Sequence, residues 1–286
     1  MSKTPHDSTQ QTQHVGAAAP QKDRVASPQW QDWIVRMAPM LYVTTLTIAL
    51  PKILTQSFVV SELAITHEQR LQHQLRSISI EVLAHGKTIG SGVLLHRQQQ
   101  VYTVVTNAHV IQAASAPFQL RTHDGQIYAT ALIAPPTGQN RDLSILRFKT
   151  KRTYAVAKFG VASPKIGDRV WSAGFPLISD TDVPEPPKAV RRLNTVSGQI
   201  THILPIAISG GYRIGFDRAI RKGMSGGPML DRSGELVGIN GVHANPLWET
   251  PEILENGSTV SDALQEKISN SSWAIPIEYV KSYARL

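Results

Sequence analysis

The sequence predicts an all-β domain, because its apolar residues recur with the period of β-strands over most of the chain. From Ser77 onward, apolar residues such as Ile78 and Ile80 alternate with polar ones, as in a strand that buries one face. Asp124-Gly125 is typical of a hairpin turn, and no long helical pattern separates the strand-like runs. Further apolar and β-branched runs follow at residues 101–106, 127–133, 170–173, 195–203, 212–216 and 235–240.

The first 76 residues differ in composition from this domain. Residues 1–36 are mostly polar and predict a disordered tail. Residues 37–55 include an uncharged apolar stretch and predict a membrane anchor or a signal segment, with a core helix packed on the domain as the third interpretation. Residues 56–76 predict a helical linker. The folded domain is therefore expected to occupy residues 77–286.

Two long surface loops are predicted within the domain, at residues 177–190 and 244–272, where no strand pattern is visible. Only residues 278–286, at the C-terminus, have a helical pattern. We therefore expect strands to form nearly all of the domain, with one short closing helix.

Composition excludes several classes of function. The 286-residue chain has no cysteine, so it can form neither a disulfide framework nor a thiolate nucleophile. Its net charge of +8 comes from scattered lysines and arginines without interleaved aromatic residues, which predicts a basic surface and no nucleic-acid partner. No HExxH motif is present to suggest a zinc site. We expect no metal and no cofactor.

The segment Gly223-Met224-Ser225-Gly226-Gly227-Pro228 is the strongest indication of chemistry. A serine hydroxyl becomes a nucleophile only with a base to take its proton and donors to stabilise the resulting oxyanion. Gly223 can adopt the backbone angles that aim its NH and that of Ser225 at one point. Since a Gly/Ser cluster before a proline is also compatible with an ordinary turn, the hypothesis that Ser225 is catalytic needs partners elsewhere.

Two residues have the context that such partners require. His109 directly follows the β-branched run that ends at Thr106 and is the candidate base, although an isolated histidine there would be read as a strand-end residue. Asp142 precedes an alternating apolar strand and is the candidate for orienting the imidazole, although alone it would be read as a turn or cap residue. Histidine, aspartate and serine in this order, each beside a β-run, make a chance match to all three contexts improbable.

With these motifs the chain resembles the trypsin-like serine proteases, and within them the bacterial HtrA (Deg) type. The resemblance covers about residues 77–286 and implies two packed six-stranded antiparallel barrels, a short C-terminal helix, and a catalytic cleft between the barrels. Besides the segments around His109, Asp142 and Ser225, it rests on Gly90-Ser91-Gly92-Val93, Gly174-Phe175-Pro176, Val196-Ser197-Gly198-Gln199-Ile200, Val237-Gly238-Ile239-Asn240 and Ala274-Ile275-Pro276-Ile277.

The resemblance implies a serine endopeptidase that acts on unfolded or extended protein or peptide substrates. It assigns the oxyanion hole to the backbone NH groups of Gly223 and Ser225. It also implies a primary substrate pocket formed by Ala219, Ile220, Ile239, Asn240 and Gly241. Because no carboxylate lies at the base of that pocket, burial of a Lys or Arg side chain would be costly, and we expect cleavage after small or medium apolar residues.

The chain departs from the family pattern at Met224. In the trypsin branch an aspartate at this position pairs with a newly cut N-terminus, and a methionine cannot form that ion pair. We therefore do not expect activation by N-terminal insertion. We also expect no PDZ domain after residues 274–276, because only a short tail follows them.

Because Lys22, Arg24 and Arg36 precede the hydrophobic segment, the N-terminus is expected in the cytoplasm. The protease domain is then expected in the bacterial cell envelope, anchored by residues 37–55 on the periplasmic or lumenal side, with a secreted form as the alternative. A homo-oligomer is compatible with this arrangement. Two other classes of function remain: a catalytically silent protease-like module that binds peptides, and an α/β-hydrolase esterase. The esterase is the weaker of the two, because it requires the order serine, acid, histidine and a strand-helix alternation that this chain lacks.

Overall fold

The alternating segments form antiparallel strands that assemble into two sheets in the computed structural model of the chain. The structure describes residues 66–133, 141–177, 193–243 and 253–281. The predicted tail at 1–36 and the hydrophobic segment at 37–55 lie outside these residues. The all-β fold class with two barrels is confirmed.

The first sheet has seven strands in the order β5-β4-β1-β2-β3-β7-β6. Its interior is filled by apolar side chains, among which the stacked rings of Tyr102 and Phe148 lie 5.2 Å apart. Its strands are β1 (Ser79–Ala84), β2 (Lys87–Gln98), β3 (Val101–Thr106), β4 (Phe118–Arg121), β5 (Ile127–Ala129), β6 (Ala131–Ile133) and β7 (Ser144–Lys149).

Thr130 explains why this sheet has seven strands where six were expected. The predicted run at residues 127–133 is interrupted at Thr130, so β5 pairs with β4 at one edge and β6 pairs with β7 at the other. The Thr130 NH donates to Phe118 O, and its Oγ1 donates to Arg147 O at 2.8 Å. One residue therefore bonds to both edges of the sheet and draws it towards closure.

The second sheet is a closed barrel in the order β10-β13-β12-β11-β8-β9. Phe216, Met229 and Val237 are fully buried in its interior. A larger apolar cluster, which includes Trp171 and Trp273, extends from this barrel towards residues of the first sheet such as Val105. Its strands are β8 (Arg169–Gly174), β9 (Asn194–Ile208), β10 (Tyr212–Phe216), β11 (Pro228–Leu230), β12 (Leu236–Val242) and β13 (Ser272–Pro276).

The helices differ in part from the sequence prediction. Helix α1 covers residues 66–78, two residues beyond the predicted linker, and buries Leu71 and Leu75 in the shared core. The predicted boundary at residue 77 stays a prediction. Helix α2 is Ala108–Gln112, and α4 is Ile277–Lys281. None of the described helices is long and apolar enough to cross a membrane.

The prediction of a continuous loop at residues 244–272 is wrong for its second half. Helix α3 (Asp262–Asn270) lies there, and Ser261 caps it by accepting a hydrogen bond from Leu264 N. Ile268 anchors the helix in the core, because its side chain is fully buried. Leu264 packs against the same core, and two apolar residues one turn apart are too few to establish a helical period.

Ser91 of β2 joins the two sheets at the centre of the molecule. Its NH donates to Ser225 O at 2.9 Å, and its Oγ donates to Gly223 O at 2.7 Å. The same Oγ accepts from Phe175 N at 2.8 Å. Ser91 is fully buried, so each of these bonds satisfies a group that water does not reach. The loop that carries Ser225 is thereby fixed to the first sheet.

Replacement of this hydroxyl tests its structural role. We expect Ser91→Ala to lower the free energy of unfolding by about 1–3 kcal/mol, because the buried Phe175 NH and Gly223 O each lose a partner. The matched control is Ser79→Ala, since Ser79 is also fully buried but its Oγ has no hydrogen-bond partner among the described residues. Urea unfolding of the two variants should separate them, and equal midpoints would contradict the account.

Candidate active site

His109 lies just after the end of β3, where the strand turns into the short helix α2. Asn107 adopts an extended backbone at the helix N-cap, and the next turn of chain places Val110 in the core. The imidazole points the other way, with 46% of its side chain exposed. The local sequence therefore buries one neighbour and presents the histidine at the surface of the first sheet.

Asp142, immediately before β7, holds His109 by two contacts. Asp142 Oδ1 accepts from the His109 backbone NH at 2.8 Å, and Oδ2 lies 2.5 Å from His109 Nδ1. The main chain of Asp142 is fixed as well, because Asn107 Nδ2 donates to its carbonyl and its NH donates to Gly210 O. A carboxylate at Nδ1 favours the proton on that nitrogen and leaves the lone pair on Nε2.

Tyr212 makes a further contact with this carboxylate that the sequence did not predict. Its hydroxyl donates to Asp142 Oδ2, and its side chain is buried. Burial, followed by the charge of Asp142, raises the pKa of Tyr212 well above its ordinary value, so the hydroxyl stays protonated as a donor. A tyrosine in an apolar strand is an ordinary β-former, and no signal in the sequence distinguishes this one.

Ser225 lies on a tight loop between residues 221 and 228. Gly223 and Gly226 have positive φ angles of 94° and 86°, which favour glycine. At Gly226 a Cβ atom would lie 2.1 Å from the carbonyl oxygen of Ser91, so the loop approaches the first sheet more closely than any side chain permits. The Gly226 NH donates to Asn240 O of β12, which fixes the other side of the loop.

The hydroxyl of Ser225 points to β12 in this structure. Ser225 Oγ donates to Gly241 O at 2.9 Å, and the described part of the chain contains no hydrogen bond between Ser225 Oγ and the His109 ring. The two residues are nevertheless near one another, because the Ser225 loop packs against Thr106, which precedes the helix of His109 by two residues. The structure thus shows a direct contact between His109 and Asp142. Ser225 lies near them because its loop packs against Thr106.

The backbone NH groups of Gly223 and Ser225 have no acceptor among the described residues. The carbonyls in the same two peptide planes are occupied, since Lys222 O accepts from Leu177 N at 2.8 Å and Met224 O accepts from Gly227 N at 3.1 Å. Bonded carbonyls set the orientation of the peptide planes. Neither NH group therefore has a hydrogen-bond partner within the described part of the chain.

Met224 lies between Gly223 and Ser225 in the sequence, and its side chain is completely buried. Its sulfur accepts weak contacts from Arg221 N at 3.3 Å and Asn194 Nδ2 at 3.6 Å. An uncharged thioether thus occupies the interior below the loop, and its contacts are with neutral groups.

The residues predicted to form the substrate pocket lie in different environments. Ala219 is exposed, whereas Ile220 is buried and its NH donates to Ser272 Oγ. The side chain of Ile239 belongs to the core, and the amide of Asn240 donates to Ala173 O and Pro228 O. These two residues can therefore border a pocket only with their backbone, as Gly241 also must.

Comparison with known proteins identifies the family. A family model described as "Trypsin-like peptidase domain" matches residues 90–239. The serine protease Do-like HtrA of Bacillus subtilis is 31% identical over 156 residues, which cover 53% of this chain and 32% of that protein. The probable periplasmic serine endoprotease DegP-like of Rhizobium meliloti is 31% identical over 140 residues, which cover 48% of this chain and 25% of that protein.

A plant relative shows the same pattern. The chloroplastic protease Do-like 1 of Arabidopsis thaliana is 29% identical over 168 residues, which cover 57% of this chain and 35% of that protein. The chain thus spans about a third of the length of the curated relatives that it matches. By its matched domain and its two barrels, the chain belongs to the trypsin-like peptidase domain family, and within that family its protease domain is of the HtrA type.

Proposed function

We propose that the chain is a serine endopeptidase in which Ser225 is the nucleophile, His109 the general base and acid, and Asp142 the residue that orients His109. The observation that supports this most strongly is the double contact of Asp142 with the backbone NH and Nδ1 of His109. A histidine fixed in this way exposes a basic Nε2, and such a base is what an unactivated serine requires.

The proposed reaction begins with a rotation of the Ser225 side chain. Its hydroxyl leaves Gly241 O and turns towards Nε2 of His109, a motion about a single side-chain torsion. Ser225 Oγ then attacks the carbonyl carbon of the scissile peptide bond while its proton passes to Nε2. Asp142 stabilises the imidazolium that forms.

The negative charge that develops on the substrate oxygen is bound by the free NH groups of Gly223 and Ser225. His109 next transfers its proton to the leaving amine, and the peptide bond breaks to give an acyl-enzyme on Ser225. Water, deprotonated by His109, attacks the ester and releases the second product. Each proton taken by His109 is returned within the cycle, so no cofactor is needed.

Removal of the nucleophile tests this assignment. We expect Ser225→Ala to abolish labelling by a fluorophosphonate probe and to lower the turnover of an unfolded protein substrate by about 10³-fold or more. The matched control is Ser233→Ala, an exposed serine in the turn between β11 and β12, which should label like the wild type. Labelling that survives in Ser225→Ala would refute the proposed nucleophile.

The bond between Ser225 Oγ and Gly241 O is also the one observation that favours a second candidate, a silent module that binds peptides without cleaving them. In such a module the serine would keep this bond when a peptide occupies the cleft. Binding of extended peptides with the same affinity by wild type and Ser225→Ala, and no product from either, would favour it. Turnover by the wild type excludes it.

For specificity we propose cleavage after small or medium apolar residues such as Val, Ala or Leu. The residues assigned to the pocket, from Ala219 and Ile220 to the backbone of β12, include no carboxylate. A Lys or Arg side chain placed there would lose its hydration without gaining a charge partner.

This proposal predicts a clear preference in matched peptides that differ only at the cleaved residue. We expect kcat/KM for Val, Ala or Leu to exceed that for Lys or Arg by about 10-fold or more. Ala219→Asp adds an acidic group at the proposed base of the pocket and should narrow this difference. Consistent cleavage after Lys or Arg by the wild-type protein would contradict the proposal.

For location we propose that residues 37–55 anchor the chain in a membrane, with the protease domain on the periplasmic or lumenal side. The support is the uncharged stretch from Met37 to Leu50. If a helix continues from it past Pro51 and Lys52 through Leu54, it approaches the length of about 20 residues that a spanning helix needs. Bacterial DegP-like relatives are described as periplasmic.

Membrane extraction provides the test. The full chain should stay with the membrane fraction in alkaline carbonate and be released by detergent, whereas a variant that lacks residues 1–55 should be found in the soluble fraction. Release of the full chain by carbonate alone would overturn the anchor and favour a secreted or peripheral form.

A further inference from the structure

We propose that Tyr212 is a positioning residue of the active site, which holds the carboxylate of Asp142 in place and fixes the strand that receives the Ser225 hydroxyl. The proposal rests on the function proposed above, because it assigns Tyr212 a role in the same reaction. Tyr212 begins strand β10 of the second barrel, whereas His109 and Asp142 flank strands of the first sheet. Its hydroxyl therefore connects the acid to the barrel that carries the nucleophile.

The carboxylate of Asp142 contacts three hydrogen-bond donors. Oδ1 accepts from the His109 backbone NH, and Oδ2 accepts from both His109 Nδ1 and the Tyr212 hydroxyl. A carboxylate held by His109 alone would be fixed from one barrel only. With Tyr212 as the third donor, Oδ2 is held from both barrels, and rotation of the carboxylate would break at least one bond.

The ring of Tyr212 is held between two glycines. A Cβ atom at Gly241 would lie 2.1 Å from Tyr212 Cε1, and one at Gly210 would lie 3.1 Å from Tyr212 Cε2. Gly210 also has a positive φ of 91° and accepts the NH of Asp142 through its carbonyl. The close approach at Gly241 would be impossible with any side chain there, so glycine at this position is what lets the hydroxyl reach Asp142.

Gly241 also links the ring to the nucleophile. Its carbonyl accepts the hydrogen bond of Ser225 Oγ, and its Cα faces the Tyr212 ring. A single buried tyrosine thus bonds to the acid of the proposed triad and packs against the backbone group that holds the serine. Loss of the Tyr212 hydroxyl should remove the hydrogen bond to Asp142 and leave the packing of the ring against Gly241 in place.

The hydroxyl also affects the charge that His109 experiences. A donor to Oδ2 withdraws electron density from the oxygen that contacts His109 Nδ1 and lowers its attraction for a protonated imidazole. Without that donor Asp142 Oδ2 accepts from His109 alone and attracts the protonated imidazole more strongly.

The test is Tyr212→Phe, which keeps the ring and removes only the hydroxyl. We expect kcat/KM to fall about 10-fold through kcat, with KM little changed, because a hydrogen bond to a charged group is lost. The matched control is Tyr102→Phe, a buried tyrosine whose hydroxyl bonds only to backbone groups of residues 152 and 154, and its kcat and KM should be those of the wild type.

A second measurement is independent of turnover. In the Ser225→Ala background, the proton NMR resonance of His109 Nδ1 should move downfield when Tyr212 is also replaced by Phe, because Asp142 Oδ2 then accepts from His109 alone. If Tyr212→Phe does not fold, 3-fluorotyrosine at position 212 keeps the side chain and strengthens the donor, and it should move the same resonance upfield. An unchanged resonance and an unchanged kcat in folded variants would overturn the role of Tyr212. Turnover that persists in Ser225→Ala would instead overturn the proposed function.

Discussion

The contact between Asp142 and His109 is the interaction on which the proposed chemistry depends. A serine hydroxyl is too weakly acidic to react by itself, so the protein must hold a basic nitrogen in one tautomer. Asp142 achieves this with both oxygens, one on the backbone NH and the other on Nδ1 of His109. The backbone bond fixes the start of α2 as well as the ring, and the position of the base thus follows from the path of the main chain.

The arrangement also requires a fixed relative position of the two barrels, since Ser225 comes from the second barrel and His109 and Asp142 from the first. Buried polar contacts fix this position. Ser91 bonds to the carbonyls of Gly223 and Ser225, and Tyr212 bonds back to Asp142. Such contacts are directional and costly to leave unmade, so they specify one relative placement of the barrels where apolar packing alone would tolerate several.

Much of this could be predicted from the sequence, for identifiable reasons. Strand positions follow from alternation, because a half-buried strand must repeat with a period of two. The partnership of His109 with Asp142 was expected from motifs whose order and strand context resemble those of a known family. The split of one strand at Thr130 was not predictable in this way, because a threonine fits a continuous strand equally well. Helix α3 had a usable signal in the capping residue Ser261, but the absence of a strand pattern over residues 244–272 directed the interpretation towards a loop.

Tyr212 shows where sequence reasoning fails for a physical reason. Its role depends on the absence of side chains at Gly210 and Gly241, which are distant from Asp142 in the sequence. Only folding places these two glycines on either side of the Tyr212 ring, whose hydroxyl bonds to Asp142. The orientation of the Ser225 hydroxyl is likewise a property of the folded state, because the folded chain places Gly241 O within hydrogen-bond distance of it.

A crystal structure of the protein after reaction with a fluorophosphonate tests the central claim most directly. The account predicts phosphorus bonded to Ser225 Oγ, with its oxygen about 2.7–3.1 Å from the NH groups of Gly223 and Ser225 and with His109 still bonded to Asp142. An adduct on another residue, or a Ser225 adduct whose oxygen points away from both NH groups, would contradict it.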